Sequence, residues 1–222
     1  MIKPHLISYG SQAWMLRWDD ADWFHDRLIT ITQKLHQSPP DNMKEFIFGY
    51  QTLLLIFTSA TAKHILDDWL DSLNETTLHP VEDQAITHQI PVCYQGQDIE
   101  ALAQQKGLKV DQVIQLHSER LYTVYFLGFS PGFPYLGKLN DTLHTPRKST
   151  PLTRIEPGSV AIGGSHTGIY SVASPGGWHI IGKTNVSLFR VAESHHELAS
   201  EDVFYLKAGD RVQLTLSSLC WN

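Results

Sequence analysis

Residues 176–184 read Gly-Gly-Trp-His-Ile-Ile-Gly-Lys-Thr, and within them Gly177-x4-Gly182-Lys183-Thr184 has the spelling of a nucleotide phosphate loop. A working phosphate loop needs free backbone N–H groups and a helix that begins at its Lys-Thr end. The interior here is Trp178-His179-Ile180-Ile181, bulky and β-prone, and Asn185-Val186-Ser187-Leu188-Phe189 after it is strand-like too. The stretch therefore reads as a strand, and the match to the phosphate loop as an accident of spelling.

Working outward, helix signals vanish from Tyr122 onward. Tyr122–Phe129, Ser159–Ile162, Trp178–Thr184, Val186–Val191, Val203–Leu206 and Arg211–Leu216 read as strands between Gly/Pro loops, the pattern of a closed or nearly closed β-barrel. Upstream, Ile86–Tyr94 is strand-like, Asp98 caps a short helix that stops at Gly107, and a second helix covers Val110–Ser118. Before residue 85 the order is β-β-α-β-β-α. Strands fall at His5–Tyr9, Ala13–Trp18, Glu45–Phe48 and Thr52–Phe57, and one helix carries Phe24, Leu28, Ile31 and Leu35 on one face. A second helix, capped by Ser59 or Thr61, turns Ile65, Trp69 and Leu73 inward. The expected fold is an α+β N-terminal domain over residues 1–84, closed as a ferredoxin-like sandwich, then a mainly-β barrel domain over residues 85–222.

The chain has 222 residues, 42% of them hydrophobic and 18% charged, ordinary values for a globular protein with a real core. Its net charge of −6 argues against nucleic-acid binding. No apolar run approaches the ~20 residues of a membrane helix, and MIKPHLISYG at the N-terminus is not a secretion signal. Cys93 and Cys220 show no disulfide framework, so a reducing cytoplasm is the expected compartment. Residues 128–182 depart from the overall acidity: Lys138, Arg147, Lys148 and Arg154 face only Asp141 and Glu156. That window also holds ten of the fifteen glycines and six of the eleven prolines, as a rigid cleft of loops that attracts a small anion would.

Three constellations in this window can carry chemistry. Gly128-Phe129-Ser130-Pro131-Gly132-Phe133-Pro134-Tyr135-Leu136-Gly137 stiffens a turn with glycine and proline, so that Phe133 and Tyr135 can wall a flat ligand. Arg147 and Arg154, seven apart, could converge as guanidinium forks on a carboxylate or phosphate. Gly163-Gly164-Ser165-His166-Thr167-Gly168-Ile169-Tyr170 and Ser174-Pro175-Gly176-Gly177-Trp178-His179 offer bare amides beside a hydroxyl, imidazoles and a phenol, groups suited to a developing oxyanion. His117, His166 and His179 are the titrating candidates. Ser194-His195-His196-Glu197 does not supply a set of three ligands, so no metal is expected.

At these loops the chain resembles a known family. LHSERLYTVYFLGFSPGFPYLGKL, LHTPRKSTPLTRIEPGSVAIGGSHTGIY and SPGGWHIIGKT are similar to the family known as the 5-oxoprolinase B subunit, allophanate hydrolase subunit 1 or kinase A inhibitor. The resemblance implies a cyclophilin-like barrel after the α+β domain. It also implies two partners, a barrel protein of the C-subunit type and a third protein of the A-subunit type, which together convert 5-oxoproline to glutamate with ATP hydrolysis. Glu156-Pro157, His166, Ser171 and the short Tyr94–Asp98 loop depart from the family's usual pattern at the cleft's border, and so bear on substrate more than on fold.

The leading expectation is a cytoplasmic component of an ATP-dependent lactam hydrolase, active with its partner proteins. Arg147 or Arg154 would take the substrate carboxylate, and Phe133, Tyr135, Tyr170 and Trp178 would surround the ring. Gly163, Gly164, Gly176 and Gly177, with Thr167, would stabilise charge on the lactam oxygen, and ATP is expected of the complex. Rival expectations are an inhibitor of a sensor histidine kinase, a component of an allophanate or urea amidohydrolase and, from fold analogy alone, a prolyl isomerase.

Overall fold

In the computed structural model the chain divides into two compact units, Met1–Asp83 and Gln84–Asn222. The structure describes residues 3–75, 85–190, 203–218 and 220. The expected Ser194–Glu197 group lies outside them.

The first unit holds β1 (His5–Ser8), β2 (Ala13–Arg17), α1 (Ala21–Gln37), β3 (Met43–Phe48), β4 (Thr52–Phe57) and α2 (Lys63–Glu75). All its strand pairs are antiparallel, in the order β1-β2-β4-β3. Asp20 starts α1 by accepting the Trp23 backbone N–H at 2.9 Å, which satisfies one of the first-turn donors. Phe24, Leu28, Ile31 and Leu35 are then buried on one face, as their spacing requires. They share a core with Leu16, Leu53, Leu55 and Phe57, the strand residues of a single face. On α2 the buried row is Leu66, Trp69, Leu70 and Leu73, while Ile65 is only half-buried.

The second unit is built on a seven-stranded sheet. Its members are β5 (Thr87–Val92), β6 (Leu121–Leu127), β7 (Pro134–Gly137), β9 (Ser159–Gly163), β10 (His166–Ile169), β12 (His179–Lys183) and β13 (Arg211–Leu216). The order is β12-β9-β10-β7-β6-β13-β5, antiparallel except for the parallel pair β13–β5. The sheet curls until its edges meet, where Cys93, just after β5, bridges Lys183 of β12 through reciprocal backbone bonds of 2.8 and 2.9 Å. Inside the curl lie Ile90, Val124, Leu136, Val160, Ile162, Ile169, Ile181 and Leu214. Leu102 of α3 (Ile99–Lys106) and Val113 of α4 (Val110–Ser118) join that core. A separate ribbon pairs β8 (Leu152–Ile155) with β11 (Ser174–Gly176).

Two expectations need correction. Among the described residues, Val186–Val191 and Val203–Leu206 form no strands and meet only in a bridge between Phe189 and Phe204. The two cysteines are bonded to each other, with Cα atoms 5.2 Å apart across 127 residues of sequence. Sequence spacing could not show this, because closure of the sheet brings Cys93 to the stretch that follows β13.

Candidate functional site

The residues singled out by the sequence collect largely on the outer face of the curled sheet. Alternation along β9 sends Val160 and Ile162 inward and Ala161 outward, where it packs with Phe133, Ile155, Tyr170, Trp178 and Ile180. Phe133 is the hub of this layer, edge-on to Tyr135 at 5.2 Å, Tyr170 at 5.1 Å and Trp178 at 5.4 Å. Phe126 stacks on Tyr135 from the far side at 4.3 Å. Phe129 stands at the edge of the cluster, 60% exposed and with φ of +69°.

The glycines serve these rings. A Cβ on Gly163 would stand 2.5 Å from the Trp178 indole, one on Gly168 2.8 Å from Phe133, and one on Gly176 would collide with the Tyr170 hydroxyl. Three of the four glycines expected to offer bare amides lie in backbone pairings. The Gly164 N–H donates to the Thr145 carbonyl at 2.7 Å, Gly163 lies opposite His166 in a ladder, and Gly176 lies opposite Leu152. Only Gly177 stands outside those pairings, and its carbonyl accepts the Lys148 N–H at 2.7 Å.

Arg147 completes this face. Its guanidinium carbon sits 5.9 Å from the centre of the Trp178 ring, and it has no carboxylate partner among the described residues. The loop that carries it is held on both sides of Arg147. The His179 Nε2–H donates to the Pro146 carbonyl at 2.9 Å, and Lys148 Nζ donates to Asp98 at 2.7 Å. Burial pushes the Tyr135 hydroxyl above its ordinary pKa, with Arg147 pulling the other way. Burial raises Tyr170 as well, opposed by a bond from the Trp178 backbone N–H and by Arg147. Both phenols thus sit within the electrostatic reach of one guanidinium.

Arg154 does not converge with Arg147. It is exposed, pairs with Glu156 at 2.6 Å, and lines a different cleft with Lys183 and Ser159. Alternation on β8 and the ion pair two residues away decide this, and spacing alone could not reveal either.

The candidate acid–base groups also separate. His117 and Thr167 are completely buried. Thr167 Oγ1 donates to the Ala161 carbonyl at 3.0 Å, so it must accept the His117 Nε2–H at 2.8 Å; Nδ1 then accepts the Tyr94 hydroxyl at 2.8 Å. This chain of bonds fixes a neutral imidazole, and burial lowers its pKa to about 3. The structure therefore corrects the expectation for this pair: they are saturated core groups with no path to the outer face. His166 is buried on the opposite face of β10, edge-on to Tyr125 at 5.8 Å. His179 touches the Arg147 loop and can position it.

The residues of the phosphate-loop spelling do not fit ATP. Ile180 N–H donates to the Asp98 carboxylate at 2.7 Å, Lys183 N–H to Cys93 and Thr184 N–H to Gly158, both at 2.9 Å. Those amides are spent on the Asp98 carboxylate and on backbone carbonyls, and no helix begins over residues 184–190. Asp98 is the residue whose part sequence reasoning missed. It was expected only as a helix cap, yet it caps with no side-chain bond and instead ties β12 to Lys148. Among the described residues no group of His, Cys, Asp or Glu could hold a metal ion. No helix among them is long and apolar enough to cross a membrane.

Comparison with known proteins places this geometry. Residues 4–199 match the carboxyltransferase domain, subdomain C and D. The chain is 37% identical over 192 residues to the 5-oxoprolinase B subunit of Escherichia coli O157:H7, covering 84% of this chain and 83% of the relative. It is 45% identical over 134 residues to the protein of that name from Haemophilus influenzae, a match that spans 59% of this chain and 60% of the relative. The crystal structure of TTHA0988 aligns with a TM-score of 0.72 at 30% identity, over 95% of this chain and 40% of that one. The conserved uncharacterized protein PH0987 from Pyrococcus horikoshii aligns over 96% of this chain and 97% of its own at 32% identity, with a TM-score of 0.55. With a family domain across most of its length and a relative matched over most of both chains at this identity, the chain belongs to the carboxyltransferase subdomain C and D family, among the proteins named as the B subunit of 5-oxoprolinase.

Proposed function

We propose that this chain is the B subunit of an ATP-dependent 5-oxoprolinase, working with a barrel protein of the C-subunit type and a third protein of the A-subunit type. One observation carries the reading: Arg147, without an acidic partner among the described residues, stands over Trp178 beside the buried Tyr170 and half-buried Tyr135 phenols. 5-Oxoproline is a flat lactam with one carboxylate. Arg147 would bind that carboxylate, and Tyr135 and Trp178 would border the ring. Both phenols stay protonated at neutral pH, because burial raises them. Tyr170 accepts from the Trp178 backbone, so its own O–H is available to donate to a lactam oxygen that gains charge. ATP, bound at the level of the complex, would supply the driving force that amide resonance demands. The residues here favour a nucleotide site outside this chain or shared with a partner.

The barrel of the second domain (residues 85–222) is proposed to be cyclophilin-like. The first (residues 1–84) is proposed to be a permuted ferredoxin-like sandwich, which the order β1-β2-β4-β3 supports. The cytoplasm is the proposed compartment, in keeping with an ATP-dependent reaction.

Co-expression with partners of the C-subunit and A-subunit types, followed by assay of ATP-dependent glutamate release from 5-oxoproline, tests the proposal. Activity that depends on Arg147 is the expected result, and an inactive wild-type complex overturns it. The rival reading, an inhibitor of a sensor histidine kinase, draws support from exposed Phe129 at the edge of the aromatic layer. Capture of a histidine kinase by a chain that supports no hydrolysis would favour that reading.

A further inference from the structure

At the seam of the sheet lies a second cleft of about 320 Å³, whose polar lining does not include Arg147. The disulfided Cys93 and Cys220 form part of its wall, and Gln95, Gln97, Arg154, Glu156, Ser159 and Lys183 supply its polar lining. Its volume falls in the range of small-ligand sites, roughly 300–1,000 Å³.

Three features mark it as built for a ligand. Ser159 is only 7% exposed, and alternation along β9 turns it opposite to the inward Val160, toward the cleft. Its hydroxyl makes no hydrogen bond among the described residues and so is open to a group in the cleft. Lys183 has no ion pair among the described residues, and with Arg154 it outnumbers Glu156, so the cleft carries excess positive charge. Gln95 and Gln97, whose side chains likewise lack protein partners among the described residues, add amide donors and acceptors.

We propose that this cleft binds a small carboxylate of amino-acid size, with Lys183 and Arg154 on the carboxylate and Ser159 and the two glutamines on its remaining polar groups. Leu152, Ile155 and Ile180 wall this cleft and also pack into the aromatic layer, but the cleft's polar groups do not include Arg147, and the proposal does not rest on the activity proposed for the aromatic face.

Isothermal titration of the full chain with L-glutamate, using acetate as a control, tests this. Saturable glutamate binding is expected, tighter than acetate. Lys183→Gln should weaken it by about tenfold, as the loss of one charged hydrogen bond would, and Ser159→Ala should weaken it in the same direction. Lys183 is exposed and alanine fits the volume of Ser159, so both variants should keep the fold, which circular dichroism checks. Arg147→Ala should leave this binding unchanged while lowering kcat/KM of the assembled complex by about 10²-fold, which separates the two sites. The proposal is overturned if no saturable binding is seen, if Lys183→Gln leaves it unmoved, or if Arg147→Ala removes it.

Discussion

Arg147 and His117 show how burial sorts two residues that look equally chemical in the sequence. Arg147 is exposed, and its cation stands over the Trp178 face. Its removal should therefore leave folding intact and cost binding. Arg147→Ala is expected to lower kcat/KM of the assembled complex by about 10²-fold, and Arg147→Lys to recover only part, because an ammonium cannot bind a carboxylate as a fork. Steady-state kinetics beside unchanged thermal unfolding would check this. His117 behaves in the opposite way. Burial holds its pKa near 3, far below the ordinary 6.5. Between those pH values the unfolded chain takes up a proton that the native imidazole refuses. Its contribution to stability is therefore complete above pH 6.5 and drains away as pH falls toward 3. His117→Leu should flatten that acid decline in urea unfolding. At neutral pH it should also cost roughly 1–3 kcal/mol, because the Tyr94 hydroxyl loses its acceptor.

At the scale of elements, the hairpin of β9 and β10 explains why glycine crowds this region. Its two-residue turn begins at Gly164 with φ of +64°, and Gly163 beside it lies flat beneath the Trp178 indole. Gly163→Ala should force Trp178 out of its edge-on contact with Phe133. A loss of about 1–3 kcal/mol is expected from overpacking, with a shift in tryptophan fluorescence to report the displaced ring. The sequence revealed β12 correctly, since four bulky residues sit where a phosphate loop needs bare amides. It revealed α1 and β13 equally well, because apolar spacing alone decides which of their faces is buried. β7, β8, β10 and β11 were illegible: each is three or four residues long and most are rich in Gly or Pro, so no period can establish itself. The aromatic and arginine elements of the candidate site were legible as residue types. The convergence of Arg147 with Tyr135, Tyr170 and Trp178, and the turning away of Arg154, depend on contacts between loops, which no local pattern encodes. The glycines were read as amide donors because the sequence cannot show which ring fills the space they leave.

For the molecule as a whole, the most consequential connection is the one between Cys93 and Cys220. Cys93 is where the first edge strand of the curled sheet meets the last, and its backbone already exchanges two hydrogen bonds with Lys183. Ser217 N–H donates to the Val92 carbonyl at 2.9 Å, which extends the parallel pairing of β13 with β5 to the position next to Cys93. The sulfur–sulfur bond then ties two points 127 residues apart, and nearly the whole second unit lies within the loop it closes. A crosslink over so long a loop restricts the unfolded chain strongly, and bonds of this kind typically contribute about 2–4 kcal/mol. Urea unfolding of the oxidised chain should therefore show a higher midpoint than unfolding in the presence of a reductant. Cys220→Ser should match the reduced wild type and gain nothing from oxidation. Equal midpoints for oxidised and reduced wild type would mean that the backbone bridge alone closes the seam. The comparison also bears on compartment, because a reducing cytoplasm would keep the pair open and leave the barrel at its lower stability.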